Sequence, residues 1–328
     1  MERLPVEPTI TDVMKASKFL RNRVRRTPAE YSFALSERAG APVVLKLDNQ
    51  QICGSFKVRG AFYKMFSLSR ETLERGVVTC SSGNHAQGVA KAAAELRAKS
   101  WIYVPDVCPE TKKTAIRRLG GEWVELVVAN GDYDFAEGEA RAFAAERGMT
   151  FISPFEDSDV IAGQGTAGVE FLADEPDIEL LLVPAGGGAL LNGTAIAAAA
   201  LAPKAEVWGV QSEASNPWVV SWGSGKVDGE FTLAPTIADG LSGAIPQSML
   251  SLAKQRVTGI IEVTEREIAA AIAFMHREHH QQVEGAGAVG VAALLAGKAP
   301  INGRKTGIII SGGNIDEEKL LSILEEYD

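Results

Sequence analysis

A lysine with apolar neighbours is the first candidate for chemistry in this sequence. Lys57 lies between Phe56 and Val58. Apolar surroundings lower the pKa of a lysine amine, and the neutral amine is a nucleophile. The same pattern also fits a lysine on the surface of a strand-to-helix turn. Composition alone therefore leaves both interpretations open.

A glycine run provides a candidate phosphate site. Gly186, Gly187 and Gly188 follow an apolar segment and precede a helical one. Glycines let main-chain N–H groups converge on an anion, and the helix dipole favours negative charge there. The spacing matches neither a Walker A loop nor a dinucleotide fingerprint, so it fits a single phosphate monoester. A tight strand-to-helix turn explains the pattern equally well.

A second loop, Ser81-Ser82-Gly83-Asn84-His85, also precedes a helix. Its N–H groups could hold a carboxylate, and Asn84 offers both a donor and an acceptor to a ring oxygen. His85 alone is more typical of a structural hydrogen bond than of a catalyst. The other histidines lie in one polar helix and are expected at the surface, without a metal-binding arrangement: His276, His279 and His280.

These loops require strands to position them. Short apolar segments alternate with helical ones, which predicts parallel sheets covered on both faces. The predicted strands are 43–47, 76–80, 101–104, 124–128, 151–152, 180–183, 207–210, 260–263 and 307–310. Ligands of such sheets bind beyond the carboxyl ends of the strands. Three small-residue loops in that position, the third at Ser311, predict one crevice between two α/β lobes.

The bulk composition excludes several functions. The chain has 328 residues, 46% of them hydrophobic, with a net charge of −9. No basic run predicts a nucleic-acid partner, and no apolar segment reaches membrane-spanning length. Three cysteines without metal spacing argue against a disulfide framework, and the N-terminus lacks an apolar signal core. A cytoplasmic protein is expected.

Seven motifs, in this order, resemble the serine/threonine dehydratase family of fold-type II (tryptophan synthase β-like) pyridoxal-phosphate enzymes, a group that includes serine racemase. The resemblance covers about Thr27 to Asp316 and is strongest to the short catabolic dehydratases. The motifs are Ser55-Phe56-Lys57-Val58-Arg59-Gly60-Ala61, Ser81-Ser82-Gly83-Asn84-His85-Ala86-Gln87-Gly88, Val160-Ile161-Ala162-Gly163-Gln164-Gly165-Thr166, Gly186-Gly187-Gly188, Ala238-Asp239-Gly240, Glu284-Gly285-Ala286-Gly287-Ala288 and Ser311-Gly312-Gly313-Asn314.

The resemblance implies a role for each matching residue. Lys57 would bind pyridoxal 5'-phosphate as a Schiff base and then act as the Cα base, and Ser82 is the second candidate catalytic residue. The implied cofactor contacts are Phe56, Lys57, Asn84, Gly186, Gly187, Gly188, Ala189, Leu190 and, at the ring nitrogen, Ser311. The implied substrate contacts are Ser81, Ser82, Asn84, His85 and Phe155.

The implied activity is an ammonia-lyase reaction on L-threonine or L-serine, giving 2-oxobutanoate or pyruvate plus ammonia. Other β-hydroxy amino acids, such as hydroxyaspartate or a phenylserine, stay open, although no pocket arginine can be placed for an added acidic group. Ser82 leaves open a racemase-like activity. A non-catalytic pyridoxal-phosphate-binding protein is a further alternative, against which the retention of the carboxylate loop argues.

The sequence departs from the family pattern at a few positions. Cys53 replaces a threonine, Ala189 replaces a fourth glycine, and Asn192 stands where a small residue is common. The positions that supply cation ligands in serine racemase are here Gln211, Ser215 and Pro217, so no metal is expected, although Glu213 could join a displaced site.

The resemblance also implies an organisation. Residues 1–66 and 154–328 are expected to form a large cofactor-binding domain and residues 67–153 a small one, without a C-terminal regulatory domain. A homodimer or homotetramer is expected. The aromatic region around Phe19, Tyr31 and Phe33 is equally compatible with a subunit interface and with the core.

Overall fold

The computed structural model describes residues 7–227 and 229–327. Its larger sheet has six strands in the order β1-β2-β10-β7-β8-β9. The edge strand β1 is antiparallel to β2, and the other neighbours are parallel. The strands are β1 (Ala29–Tyr31), β2 (Val43–Leu47), β7 (Leu180–Pro184), β8 (Glu206–Ser212), β9 (Gly259–Val263) and β10 (Thr306–Ile310).

A second, fully parallel sheet has four strands in the order β5-β4-β3-β6. They are β3 (Val77–Cys80), β4 (Ser100–Pro105), β5 (Val124–Ala129) and β6 (Thr150–Phe151). Val77 packs against helices on one face of this sheet, whereas Val78 packs on the other face. Successive side chains of a strand point to opposite faces, so an unbroken apolar run is what a sheet covered on both sides requires.

Fourteen helices complete the described part of the chain. They are α1 (Ile10–Leu20), α2 (Phe33–Ala39), α3 (Lys57–Ser67), α4 (Arg70–Arg75), α5 (Asn84–Leu96), α6 (Glu110–Gly120), α7 (Tyr133–Glu146), α8 (Ser158–Asp174), α9 (Ala189–Leu201), α10 (Pro217–Ser224), α11 (Gln247–Ala253), α12 (Glu265–His279), α13 (Gly285–Leu295) and α14 (Glu317–Glu326). Helices pack on both faces of both sheets. The predicted α/β class is therefore confirmed.

Glycines set the packing of the helix that carries Lys57. A Cβ added to Gly163 of α8 would lie 2.6 Å from the Cα of Gly60 in α3. On the other side of α8, a Cβ on Gly193 of α9 would lie 2.6 Å from the main-chain nitrogen of Gly165. Because side chains would hold these backbones apart, the three helices can touch only through glycine. The motif at 160–166 thus has a packing role.

A buried ionic cluster fastens α3 from another side. The Arg59 guanidinium donates to Asp48 at 2.7 Å and to Glu170 at 2.8 Å. Lys46 of β2 also contacts Glu170, at 3.0 Å. The side chains of Arg59, Asp48 and Lys46 are fully buried. Burial opposes ionisation of Asp48, but the charge and hydrogen bonds of Arg59 hold its pKa below the ordinary value.

Helix α1 begins with a capping box, in which the N-cap Thr9 donates its main-chain N–H and its hydroxyl to the Asp12 carboxylate. Two expectations about the histidines require correction. Helix α12 ends at His279, so His280 lies beyond it in a left-handed conformation. His279 is half-buried, with Nε2 3.0 Å from the Ser32 hydroxyl, and is not a surface residue.

Two further observations bear on the sequence expectations. Tyr31 and Phe33 are 49% and 81% exposed, so these two aromatic residues are not part of the core. Within residues 7–227 and 229–327, no helix is long and apolar enough to cross a membrane.

Candidate active site

The structure brings two of the three predicted loops into contact with the turn before Lys57. Lys57 is the first residue of α3, and the preceding Phe56 donates its main-chain N–H to the Ser311 carbonyl at 2.9 Å. The side-chain amide of Asn314 donates to the side-chain oxygen Oδ1 of Asn84 at 2.7 Å. The turn before Lys57, the loop after β3 and the loop after β10 are therefore in direct contact. This is the crevice expected at the carboxyl ends of parallel strands.

The Lys57 amine lies in apolar surroundings. Its Nζ donates to the Pro154 carbonyl at 3.0 Å and lies 5.2 Å from the centre of the Phe56 ring. Burial lowers the pKa of Lys57 to about 8, against the opposing charge of Glu284. About a tenth of the amine is therefore neutral, and nucleophilic, at pH 7, far more than for an ordinary lysine.

The glycine loop after β7 is shaped by contacts on each side. A Cβ on Gly186 would lie 3.0 Å from the Gly240 carbonyl, and one on Gly187 would lie 2.2 Å from the Phe155 ring. Gly188 has φ 95°, and a Cβ there would lie 2.7 Å from Trp218. No other residue type fits this loop without displacing its neighbours, so the glycines line a cradle.

The cradle opens onto the start of a helix. Gly188 is the N-cap of α9, which places the N–H groups of Ala189 and Leu190 in its first turn. These N–H groups have no partner inside the helix and point toward an anion at its N-terminus. Asn192 faces away from this position, since its amide donates to the Met249 carbonyl at 3.1 Å. Phe155, expected at the substrate, lies against Gly187.

The loop after β3 places a second helix N-terminus in the crevice. Gly83 is the N-cap of α5, and its N–H donates to the Ser81 hydroxyl at 3.3 Å. Ser82, Asn84 and His85 flank this cap. Main-chain N–H groups in the first turn of α5 are suited to a carboxylate.

The side chain of His85 is a neutral acceptor. It is 2% exposed, and its Nε2 lies 3.3 Å from the Ile152 carbonyl. A carbonyl only accepts, so Nε2 carries the proton and Nδ1 is an acceptor, with no partner among the described residues. Burial and the charge of Lys57 lower the pKa of His85 to about 3. His85 can therefore donate to a carboxylate only through its main-chain N–H.

Glu284 is a site residue to which the sequence assigned no role. It is 7% exposed, and Asn84 donates to its Oε1 at 2.7 Å. Burial, together with the charge of Asp239, raises the pKa of Glu284 to about 7. One feature of the sequence could have indicated this role: Glu284 directly precedes α13, a helix that contains only apolar residues and glycine.

An ion pair that the sequence also missed joins the two sides of the crevice. Lys112 of α6 contacts Asp239 at 2.6 Å. Helix α6 packs beside the four-stranded sheet, whereas Asp239 begins a short 3₁₀ helix, 239–241, whose Leu241 belongs to the core of the six-stranded sheet. Burial opposes the charge of Lys112, but Asp239 raises its pKa above the ordinary value.

The positions aligned with a cation site are engaged in protein contacts. The Gln211 carbonyl oxygen accepts from the Trp218 N–H at 2.9 Å, and the Ser215 hydroxyl accepts from the Gly243 N–H at 3.1 Å. Glu213 accepts from the Glu265 N–H at 3.2 Å. In the described residues, no group of three or more His, Cys, Asp or Glu side chains could hold a metal ion.

The chain is similar to curated proteins over nearly its full length. It is 41% identical to L-threonine ammonia-lyase of Thermotoga maritima, covering 97% of this chain and 78% of that protein. It is 38% identical to the catabolic L-threonine dehydratase of Escherichia coli, covering 98% and 96%. It is 35% identical to L-threo-3-hydroxyaspartate ammonia-lyase of Saccharomyces cerevisiae, covering 97% of each.

Solved structures share this fold. Serine racemase of Dictyostelium discoideum matches with a TM-score of 0.86 at 33% identity, covering 94% of this chain and 99% of that one. A solved threonine deaminase matches with the same TM-score and coverage at 35% identity. Residues 20–312 match the family described as pyridoxal-phosphate dependent enzyme. The chain therefore belongs to the family of pyridoxal-phosphate-dependent enzymes.

Proposed function

We propose that this protein is a pyridoxal-phosphate-dependent ammonia-lyase that converts L-threonine to 2-oxobutanoate and L-serine to pyruvate, each with release of ammonia. The observation that carries the proposal is the position of the Lys57 amine. Its Nζ donates to the carbonyl of Pro154, whose neighbour Phe155 lies against Gly187 of the cradle, and the preceding Phe56 is bonded to Ser311. Burial lowers the pKa of the amine to about 8. Similarity to two proteins named for threonine breakdown supports the substrate.

The residues present fit the cofactor. The cradle of Gly186, Gly187 and Gly188 excludes side chains and faces the first turn of α9, as a phosphate monoester requires. Ser311 is 2% exposed at the end of β10, where it could contact a ring nitrogen. When bound, pyridoxal phosphate supplies an electron sink for the charge left as Cα loses its proton.

Lys57 then has two tasks in this proposal. Its amine would hold the cofactor, and the same amine would serve as the base that removes the Cα proton. The lowered pKa favours the unprotonated form that a base needs near neutral pH. The Phe56 ring, 5.2 Å from the amine, provides one apolar side of its surroundings.

The substrate carboxylate would bind at the first turn of α5. The main-chain N–H groups there, after the N-cap Gly83, and the hydroxyls of Ser81 and Ser82 provide donors. This contact holds Cα at a fixed position relative to Lys57, which is the positioning that makes proton transfer efficient. The neutral hydroxyl of Ser311 would leave the ring nitrogen without a forced proton, which suits prompt loss of the β-hydroxyl.

Charge pairing supports threonine and serine over hydroxyaspartate. Lys112 is the cation that a second substrate carboxylate would seek in this region, and Asp239 already neutralises it at 2.6 Å. An added carboxylate would therefore meet the charges of Asp239 and Glu284 without a free cation, which is unfavourable. A substrate with a methyl or hydrogen beyond Cβ carries no such cost.

Ser82 supports a second candidate activity. A racemase needs a proton donor on the face of Cα opposite the lysine, and Ser82 is a hydroxyl at the carboxylate loop. Serine racemase of Dictyostelium discoideum shares the fold. Incubation of the holoenzyme with L-serine, followed by chiral chromatography, tests this. We expect pyruvate and only a minor fraction of D-serine.

A substrate panel tests the leading proposal. The holoenzyme is offered L-threonine, L-serine, L-threo-3-hydroxyaspartate and a phenylserine, and the 2-oxo acids formed are quantified. We expect the highest kcat/KM for threonine, followed by serine. Equal or greater turnover of hydroxyaspartate would contradict the assignment, as would the absence of any 2-oxo acid.

Three further features belong to the same proposal. We infer that residues 67–153 act as a small domain against the remainder, which limited proteolysis of the holoenzyme would test. We infer a homodimer or homotetramer, to be measured by light scattering. A cytoplasmic location is consistent with three free cysteines, Cys53, Cys80 and Cys108.

A further inference from the structure

We propose that Glu284 is a positioning residue that acts through Asn84 on the cofactor ring, and that it makes the ionisation of the bound ring respond to pH near neutrality. The inference deepens the proposed function, since it rests on pyridoxal phosphate binding at Lys57. It concerns the ring and not the substrate. It can therefore fail or succeed whichever amino acid the enzyme prefers.

A chain of amide contacts fixes the orientation of Asn84. Asn314 donates from its Nδ2 to the Cys53 carbonyl at 2.7 Å and to Asn84 Oδ1 at 2.7 Å. A main-chain carbonyl only accepts, so the atom facing Cys53 must be the Asn314 nitrogen, and the atom of Asn84 facing Asn314 must be its oxygen. The Asn84 nitrogen then faces Glu284, 2.7 Å from Oε1.

These contacts leave one N–H group of the Asn84 amide available to the ring. Its oxygen is used by Asn314 and one of its two N–H groups by Glu284. The remaining N–H can only donate, and the ring 3'-oxygen, assigned to Asn84 by the family resemblance, is an acceptor when it carries negative charge. Without the Glu284 carboxyl as acceptor, the Asn84 amide nitrogen would lose the hydrogen bond that fixes its orientation.

The carboxyl of Glu284 also lies against the other ring contact. A Cβ on Gly312 would lie 2.2 Å from Glu284 Oε1, and Glu284 donates its main-chain N–H to the Gly312 carbonyl at 3.1 Å. Gly312 directly follows Ser311, the residue expected at the ring nitrogen. Glu284 therefore contacts Asn84, expected at the 3'-oxygen, and Gly312, the neighbour of Ser311, which is expected at the ring nitrogen. A proton on its carboxyl lies close to both residues.

Three charged groups surround this carboxyl. Asp239 raises the pKa of Glu284 and Lys112 lowers it, while the charge of Glu284 itself raises the pKa of Lys57. Asp239 and Lys112 pair with each other, so they largely cancel, and burial dominates. A protonated Glu284 leaves the 3'-oxygen anion unopposed, whereas an ionised Glu284 repels it through Asn84.

The test uses the absorbance of the bound cofactor in holoenzyme without substrate. In the wild type we expect the ratio of the long- and short-wavelength bands to change reversibly between about pH 6 and about pH 8. Glu284→Gln keeps an acceptor for Asn84 but cannot titrate, so this change should disappear. Persistence of the wild-type midpoint in Glu284→Gln would overturn the proposal.

Two variants separate positioning from charge. Glu284→Ala removes the acceptor, and we expect the cofactor Kd to rise at least about tenfold. Asn314→Ala loosens Asn84 but keeps the titrating acid, so it should weaken cofactor binding and retain the pH response. An unchanged Kd in both variants would refute the positioning role. Glu267→Gln, a carboxylate in the first turn of α12 that pairs with Lys298, is the control and should alter neither quantity.

The wild-type protein offers a measurement that needs no variant. Among the described carboxyls, Glu284 is the one whose pKa is raised toward neutrality. An infrared difference spectrum between about pH 6 and about pH 8 should therefore lose one carboxylic C=O band. The absence of such a band would contradict the proposal even if Glu284→Gln fails to fold. Loss of threonine activity alone would not move either spectrum.

Discussion

Two clusters of buried charges lie on opposite sides of the first turn of α3, and they are built on opposite principles. Around Arg59, every charge is paired, through Asp48, Glu170 and Lys46. Around Lys57, two residues earlier, the charges are not paired, and burial dominates. The pKa of Lys57 falls to about 8 and that of Glu284 rises to about 7.

The difference separates structure from function. In the paired cluster, Arg59 holds the pKa of Asp48 below its ordinary value despite burial, although burial still lowers the pKa of Lys46. Such pairs fix the position of the backbone, because removing one partner leaves an uncompensated charge. Unpaired buried groups move toward neutrality and can exchange protons near neutral pH, as catalysis requires. The rigid cluster at Arg59 holds the helix on which the reactive amine at Lys57 is displayed.

The largest expected effect breaks the reactive cluster. Lys57→Ala removes the anchor and the base, so kcat/KM for threonine should fall by at least about 10³-fold, while the melting temperature of the cofactor-free protein changes little. Steady-state assays and thermal unfolding measure the two quantities. Retention of full activity would contradict the role of Lys57, and a large loss of stability would contradict the comparison.

The reverse pattern is expected in the paired cluster. Arg59→Met leaves the buried carboxylate of Asp48 without its ion-pair partner and leaves Glu170 with Lys46 alone, so the free energy of unfolding should fall by about 3–5 kcal/mol. Urea unfolding measures this. Arg59→Lys keeps the charge but not the bidentate contacts, so its free energy of unfolding should lie between those of the wild type and Arg59→Met. If Arg59→Met were as stable as the wild type, the paired cluster would not be structural.

A smaller effect sharpens the description of the cradle. Gly187→Ala forces a Cβ into the Phe155 ring, so cofactor affinity should fall by roughly tenfold to a hundredfold, since overpacking costs about 1–3 kcal/mol. In a Phe155→Ala background, Gly187→Ala should reduce cofactor affinity much less. Cofactor titration of the four proteins completes the cycle. An equal loss in both backgrounds would place the clash elsewhere.

The smallest effect concerns His85 in acid. Its folded-state pKa is lowered from 6.5 to about 3, so the unfolded chain takes up this proton first. The stability associated with neutral His85 is present above pH 6.5 and is lost as the pH falls from 6.5 toward about 3. Cofactor-free His85→Gln should lose less stability over that window in urea titrations. A parallel loss in both proteins would contradict this burial effect.

Much of the fold could be predicted because its signals are local. Continuous apolar runs between turn residues identified every predicted strand, and β2 was placed at its observed bounds, Val43–Leu47. The edge strand β1 was missed, since it is three residues long and exposed on two of them. Lys57, Asn84, Ser311 and the glycine loop were assigned through motifs, and the structure joins the segments that carry the first three.

The partners in the site could not be predicted, because they depend on contacts distant in sequence. Asn84 and Glu284 are 200 positions apart, and Lys112 and Asp239 are 127 apart. No periodicity records which of many acidic residues will be buried beside which amide. Likewise, the neutral state of His85 follows from burial and from the charge of Lys57, against the hydrogen bond to the Ile152 carbonyl, and only the folded chain defines these surroundings.

Reduction of the holoenzyme with borohydride, followed by peptide mass mapping, tests the position of the cofactor most directly. We expect the cofactor to be covalently attached to Lys57 and to no other lysine, since Lys46 is paired with Glu170 and Lys112 with Asp239. Cofactor mass on another lysine, or on none, would contradict the assignment of the site.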